Sequence, residues 1–213
     1  MKPPVAFLKT IGRVTRTAVP DASGGAAGPI AIPFTMQMQT ESNWCWAAVS
    51  TSVSLYFDVS SKWSQCTVAN SAWNRRDCCG SGSSGPCNQP WYLDRALTIV
   101  DCLSRMNSSL ESFPIVQREI AATRPLCARI GWSSGGGHFV AIAGWQVTAD
   151  GVDYYHVHDP IWGVQILPRH VFETAYRSNG SWTHSYFVRK PGSAAGAGVA
   201  SAALPLYPDA IGA

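Results

Sequence analysis

The sequence predicts an α+β fold with a mainly antiparallel sheet, in which the helical half comes first in the chain. In the first half of the chain, apolar residues recur at helical spacing in the run that ends at Phe57. From Leu126 the pattern changes to the alternation of apolar and polar residues that is typical of strands. The chain has 213 residues, of which 46% are hydrophobic, and this is enough for one domain with its own core.

Three helices are predicted in the first half, over residues 47–57, 92–102 and 114–122. Val49 and Val53 place one face of the first helix against the core. Ser42 or Asn43 can cap that helix, since both residue types are favoured at this position. Pro125 ends the third helix. Residues 60–90 are interpreted as a loop region rich in cysteine, glycine and serine.

The first strand-like segment, residues 30–38, is expected to be extended and to lead into the first helix. Five strands are predicted in the second half, over residues 126–132, 139–145, 154–158, 163–167 and 186–188. A glycine-rich turn at residues 133–137 joins the first two of them. The domain is therefore predicted to span residues 29–190. Residues 1–28 are interpreted as a propeptide, a secretion signal or a terminus without a role, and residues 191–213 as a low-complexity tail.

Charge and hydropathy disfavour a nucleic-acid partner and a membrane span. The net charge is only +3 and no basic stripe is present, so no nucleic acid is expected. No apolar run reaches the length of about 18 residues that a membrane span needs, so none is predicted. No cofactor and no metal site are expected, and the partner is predicted to be a protein or peptide substrate. A monomer is expected.

The residues around Cys45 point to nucleophilic chemistry. Cys45 lies between two tryptophans, six residues after Gln39, at about the start of the first predicted helix. Main-chain N–H groups and the helix dipole stabilise a thiolate at such a position. One cysteine beside tryptophans is more often a packed core residue, so the prediction depends on a partner base.

A base, an orienting group and oxyanion donors are all present elsewhere in the sequence. His138 opens a predicted strand after three glycines, and Asp159 lies at the end of another strand, before a proline. The imidazole can serve as general base, and the carboxylate can hold its tautomer. Asp150 and Asp153 are rivals for the second role, but they lie in a polar turn. Gln39 and the Cys45 N–H can donate to an oxyanion.

These residues resemble the motifs of papain-like cysteine peptidases: Gln39 before the cysteine of CWAA, then GHFVAIAGW, then VHDP. The His-then-Asp order is most similar to the bacterial branch that includes the AvrRpt2-type effector proteases. The resemblance covers residues 30–190. It implies a helical half packed on an antiparallel sheet half, with the active-site cleft between them. It also implies a peptide-bond hydrolase with Cys45 as nucleophile, His138 as base, Asp159 as orienting group and Gln39 at the oxyanion.

The sequence departs from the plant-type pattern in three ways. Asn43 and Trp44 occupy positions near the cysteine where glycine and a small residue are usual. The histidine follows Cys45 by 93 residues, against about 130–150 in the plant and lysosomal branch. The orienting group is Asp rather than Asn. No substrate subsite is therefore carried over from the family. The expected cleft residues come from position alone: Trp44, Gly136, Gly137 and Trp162.

Two other functions remain open at this point. A papain-like transpeptidase, similar to phytochelatin synthase, uses the same acyl-enzyme but passes it to an amine or a thiol. A non-catalytic peptide-binding module keeps the fold without the reaction. The mass of the product distinguishes the first alternative from a hydrolase, and the intact set of four site residues disfavours the second.

Seven cysteines leave six when Cys45 is set aside, and four of these lie between Cys66 and Cys87. Disulfides are favoured for the four, with reduced thiols and zinc as alternatives, and Cys102 is a candidate to pair with Cys127. Disulfides indicate an oxidising compartment. The apolar stretch at residues 5–8 is too short for a signal peptide. A bacterial effector or toxin, exported by a dedicated secretion system, fits both observations, and a reduced cytoplasmic enzyme fits the second.

Overall fold

The computed structural model describes residues 28–193, so the predicted leader and nearly all of the predicted tail lie outside the described residues. The helices are α1 (Cys45–Phe57), α2 (Gln65–Ala72), α3 (Leu93–Ile99), α4 (Phe113–Ala121) and α5 (Arg169–Thr174). The strands are β1 (Ile30–Ala31), β2 (Leu103–Asn107), β3 (Leu126–Trp132), β4 (Gly137–Val147), β5 (Asp153–Asp159), β6 (Gly163–Pro168) and β7 (Gly180–Val188). None of these helices has the length and apolarity that a bilayer crossing requires.

The strands form one antiparallel sheet in the order β2-β7-β3-β4-β5-β6, and the short β1 pairs with β4. Helices α1 to α3 precede most of this sheet in the chain. The predicted α+β fold, with an N-terminal helical half and a C-terminal antiparallel sheet, is therefore confirmed. Because β4 and β5 are antiparallel neighbours, the beginning of β4 and the end of β5 lie at the same edge of the sheet.

The first helix is the centre of the helical half. It packs against β4 on the sheet and against α2 and α3. All its residues from Cys45 to Ser54 are buried, so it is covered on every side. Trp46, interpreted as a core residue from its position, is fully buried and packs against the rings of Trp73 and Trp91. This burial holds the N terminus of α1 rigidly in the interior.

The cysteine-rich region contains a helix that the sequence interpretation missed. Residues of α2 were predicted to be loop, but Ser64 and Thr67 form reciprocal side-chain-to-main-chain hydrogen bonds at the start of this helix. Such a capping box satisfies two N–H groups that a helix start leaves without partners. The motif has Thr instead of the usual Glu at its third helical position, which made it hard to recognise. Strand β2 and helix α5 were missed as well, and the strand predicted at 186–188 begins at Gly180.

The structure has two disulfides, Cys66–Cys79 and Cys78–Cys87. The disulfide interpretation of the clustered cysteines is thus confirmed. With their sulfurs joined to each other, Cys78 and Cys87 have no thiolate to offer a metal beside Asp77. The pairing considered for Cys102 and Cys127 was wrong, because both are free, buried thiols.

Candidate active site

Cys45 is the first residue of α1 and is only 3% exposed. The N-cap is Trp44, which forms no side-chain cap, so the predicted capping by Ser42 or Asn43 was wrong. The N–H groups of the first helical turn have no partner within the helix and point towards its N-terminal end. Their partial positive charge therefore lies next to the Cys45 sulfur and stabilises negative charge on it.

The structure brings His138 and Asp159 together at the shared edge of β4 and β5. His138 Nε2 lies 3.0 Å from Asp159 Oδ2, and the two side chains are 2% and 0% exposed. The antiparallel register explains the contact, since His138 is the second residue of β4 and Asp159 the last of β5. Nε2 is occupied by the carboxylate, so Nδ1 is the nitrogen that remains to meet the thiol.

The electrostatics of His138 depend on both neighbours. Burial alone would lower its pKa, but the hydrogen bonds and charges of Asp159 and Cys45 raise the pKa of His138 to about 9. The imidazole therefore carries a proton at neutral pH and lies between a carboxylate and a sulfur. This is the charge arrangement that an acid–base partner of a thiolate needs.

Asp159 accepts four hydrogen bonds. Oδ1 accepts from the main-chain N–H groups of Ile161 (2.6 Å) and Trp162 (3.0 Å). Oδ2 accepts from His138 and from the hydroxyl of Tyr176, at 2.6 Å. Burial opposes the negative charge, but the bonds from His138, Tyr176 and Ile161 hold the pKa of Asp159 below its ordinary value. The carboxylate thus stays ionised and fixed in position.

Gln39 lies on the segment that leads to Cys45. Its main-chain N–H donates to the carbonyl of Pro160 (2.8 Å), which ties it to the residue after Asp159. Its side-chain Nε2 donates to the main-chain oxygens of Glu41 (2.9 Å) and Ser42 (2.7 Å). The four predicted site residues therefore belong to one connected region where the first helix meets the sheet edge.

A comparison with protein families finds that residues 27–167, about two thirds of the chain, match the family described as "Papain-like cysteine protease AvrRpt2". The chain belongs to this family. It is a cysteine peptidase, as the resemblance of its motifs implied. No curated protein matches it.

The matched region of the papain-like protease includes Gln39, Cys45, His138 and Asp159, but it ends before Tyr176. Tyr176 is a candidate site residue that sequence reasoning missed, because its hydroxyl donates to Asp159. It follows α5 with no motif around it, and only the folding of α5 against the sheet brings its hydroxyl to the carboxylate. Burial and the adjacent Asp159 raise the pKa of Tyr176, so the phenol keeps its proton and donates it.

The residues expected to line the cleft differ in how exposed they are. Trp162 is 40% exposed, and the centroid of its ring lies 5.4 Å from that of His138, so part of its surface is open to solvent beside the site. Gly136 is half-buried at the turn before β4. Gly137 is buried, and an added Cβ would come within 3.0 Å of the Arg129 guanidinium, so no side chain fits at this position. The expected contacts of both glycines with a substrate stay predictions.

The expectation for Trp44 was wrong. Trp44 is 1% exposed, and its indole N–H donates to the main-chain oxygen of Cys87, so it offers no surface to a substrate. The large ring fills the space between α1 and the disulfide-bonded loop of residues 78–89. Asn43 also has a structural role, since its main-chain N–H and its side-chain amide both donate to Asn88.

Proposed function

We propose that this papain-like protease hydrolyses peptide bonds through a triad of Cys45, His138 and Asp159 and a covalent acyl-enzyme. One observation carries the proposal: a buried, protonated imidazole is held by a fully hydrogen-bonded carboxylate and interacts with a sulfur at a helix N terminus. A histidine that only packs in the core is expected to be neutral, because burial disfavours its charged form.

In the first half-reaction, the Cys45 thiolate attacks the carbonyl carbon of the scissile bond. The C–S bond forms while the carbonyl π electrons move to oxygen. The side-chain amide of Gln39 and the N–H of Cys45 donate to this oxyanion, and one of the two carbonyl partners of Gln39 gives way to it. The C–N bond then breaks, and His138 gives its proton to the leaving amine. The product is a thioester on Cys45.

In the second half-reaction, neutral His138 takes a proton from water, and the hydroxide oxygen attacks the thioester carbon. Collapse of the tetrahedral intermediate releases a carboxylic acid and restores the Cys45 thiolate and the imidazolium. Asp159 remains ionised in both halves and stabilises the imidazolium. Trp162, which is partly exposed beside His138, lines the cleft through which the leaving peptide departs.

We expect hydrolysis of a library-derived fluorogenic peptide to fail above about pH 9, where His138 loses its proton and can no longer protonate the leaving amine. The free energy of unfolding should change in the same direction as the rate of hydrolysis. A pKa raised from 6.5 to about 9 contributes to the free energy of unfolding below pH 6.5, and this contribution is lost as the pH rises through about 9. Initial rates across the pH range measure the effect.

Alkylation of Cys45 by iodoacetamide provides the control, because it needs a thiolate but no proton donor. Its rate should not fall where hydrolysis does. A hydrolysis rate that stays constant well beyond pH 9, or an alkylation rate that falls together with hydrolysis, would contradict the proposed role of His138.

The enzyme is proposed to work as an exported bacterial effector on a protein of a host or a competitor, in a compartment that preserves its disulfides. The two disulfides support an oxidising environment during folding. If protein recovered from its native host is unfolded without reductant and alkylated, the mass should show three reactive thiols, which are Cys45, Cys102 and Cys127. A mass increase for all seven cysteines would instead place the working enzyme in a reducing compartment.

A further inference from the structure

We propose that Asn88 is a positioning residue that orients Gln39 for oxyanion stabilisation, through the peptide group between Ser42 and Asn43. This inference rests on the proposed function, in which Gln39 donates to the oxyanion. Asn88 lies 43 residues after Cys45 in the chain, directly after the disulfide-bonded Cys87.

Each polar group of Asn88 is used to join its loop to the segment before the nucleophile or to hold the loop itself. Its Oδ1 accepts from the Asn43 N–H (2.9 Å), and its main-chain oxygen accepts from Asn43 Nδ2 (3.0 Å). Its Nδ2 donates to the Ser42 hydroxyl (2.9 Å). Its own N–H donates to Ser84 O (2.8 Å). Two of the three bonds to the segment depend on the Asn88 side chain.

The peptide group between Ser42 and Asn43 links Asn88 to Gln39. Its N–H donates to Asn88 Oδ1, and its carbonyl oxygen accepts from Gln39 Nε2 at 2.7 Å. A peptide group is planar and rotates as one unit, so holding its N–H also sets the direction of its carbonyl. The hydrogen bond at the N–H of this peptide group and the one at its carbonyl also strengthen each other by polarising the group between them. Asn88 therefore determines where the Gln39 amide lies.

The loop that carries Asn88 is itself firmly held, which such a role requires. Cys87 is bonded to Cys78, and its carbonyl accepts from the buried indole of Trp44 at 2.9 Å. The carbonyl of Gln89 accepts from the indole of Trp46 at 3.0 Å. The two tryptophans are the residues directly before and after Cys45. The disulfide-bonded loop thus acts as a fixed support for the segment that contains the nucleophile and the oxyanion donor.

Asn88→Ala removes the acceptor for the Asn43 N–H, whereas Asn88→Asp keeps an oxygen at that position. We expect Asn88→Ala to acylate with 4-nitrophenyl acetate about 10-fold more slowly than wild type, with KM little changed. Asn88→Asp should recover most of the rate. Gln89→Ala is the matched control, because its side chain donates to Gly85 O, away from the segment before Cys45, and its removal should have no effect.

The alkylation rate with iodoacetamide separates positioning from general damage, since this reaction forms no oxyanion. It should be the same in Asn88→Ala and wild type. Gln39→Ala should lose about 100-fold in acylation, and the double variant Gln39→Ala/Asn88→Ala should be no slower than Gln39→Ala alone, because both act on one group.

The outcomes identify which idea fails. If Gln39→Ala acylates at the wild-type rate, the oxyanion assignment fails, and the role of Asn88 fails with it. If Gln39→Ala is slow but Asn88→Ala is normal, only the positioning role fails. Equal losses of acylation and alkylation in Asn88→Ala, or a double variant slowed by the product of the two single effects, would also overturn that role.

Discussion

Replacement of Cys45 by alanine is expected to reduce peptide hydrolysis by about 10⁴-fold or more, to the level of the uncatalysed background. The residue supplies the bond-forming atom, and no other group can take its place. The other free cysteines are no substitutes, because burial raises the pKa of Cys102 to about 12 and also raises the pKa of Cys127. The substitution removes a single sulfur, so the fold should be preserved. The measurement is the initial rate on a library-derived peptide.

Iodoacetamide and intact mass complete this experiment. The native protease should take up one label, at Cys45, and lose activity in proportion to labelling. Cys102→Ala is the matched control: it removes another buried free thiol outside the site, so label uptake and activity should stay at wild-type levels. Activity that survives complete labelling of Cys45, or hydrolysis by the alanine variant, would disprove the nucleophile assignment.

Substitutions at Asp159 should affect activity and stability together, in an order set by how many donors lose their acceptor. Asp159→Ala leaves four donors without the carboxylate: His138, Tyr176 and the N–H groups of Ile161 and Trp162. We expect a loss of about 3–5 kcal/mol in the free energy of unfolding, as for a buried charged group removed from its partners. The rate kcat should fall by about 10³–10⁴-fold, because His138 loses its orientation.

Asp159→Asn should lie between alanine and wild type in stability. All four neighbours are donors, so an amide can satisfy two of them with its oxygen while its NH₂ faces the other two. We therefore expect asparagine to be a poor replacement for the aspartate here. Tyr176→Phe removes one donor to the carboxylate, and it also removes the hydroxyl that accepts from Gln165 Nε2 at 3.2 Å. It should cost about 1–2 kcal/mol and only a several-fold loss of kcat.

Unfolding curves and initial rates on the same preparations measure this series. Asp153→Asn is the control, because Asp153 makes a partly exposed ion pair with Arg169 and should cost about 1 kcal/mol or less with full activity. It also tests the rival carboxylate, which the structure places at the first residue of β5. Equal activity in Asp159→Asn and wild type, or a larger loss in Asp153→Asn, would refute the assigned role of Asp159.

The features predictable from the sequence were those with a local pattern. The alternation after Leu126 located the sheet, because side chains on a strand alternate between its faces. Asp159 was preferred to Asp153 because it ends a strand. The position of Cys45 at the helix start followed from the apolar residues after it. In each case a few neighbouring residues carried the information.

The features missed depend on contacts between distant parts of the chain. Asn88 and Tyr176 stand in no motif, and their contacts with Asn43 and Asp159 arise only from folding. Trp44 was misjudged for a related reason: its ring could face the cleft or the interior, and the disulfide-bonded loop that buries it could not be placed from sequence. Tertiary packing decided these positions, not local preference.

The position of β7 in the sheet sets the boundary of the smallest catalytic unit. The family match ends at residue 167, yet β7 lies between β2 and β3 and supplies the only sheet neighbour of β2 among residues 28–193. A fragment trimmed to the matched region would expose an unpaired edge on β3, detach β2 and discard Tyr176. The polypeptide that can support the Asp159 hydrogen bonds therefore extends through Val188, and domain boundaries drawn from family similarity alone would cut through its sheet.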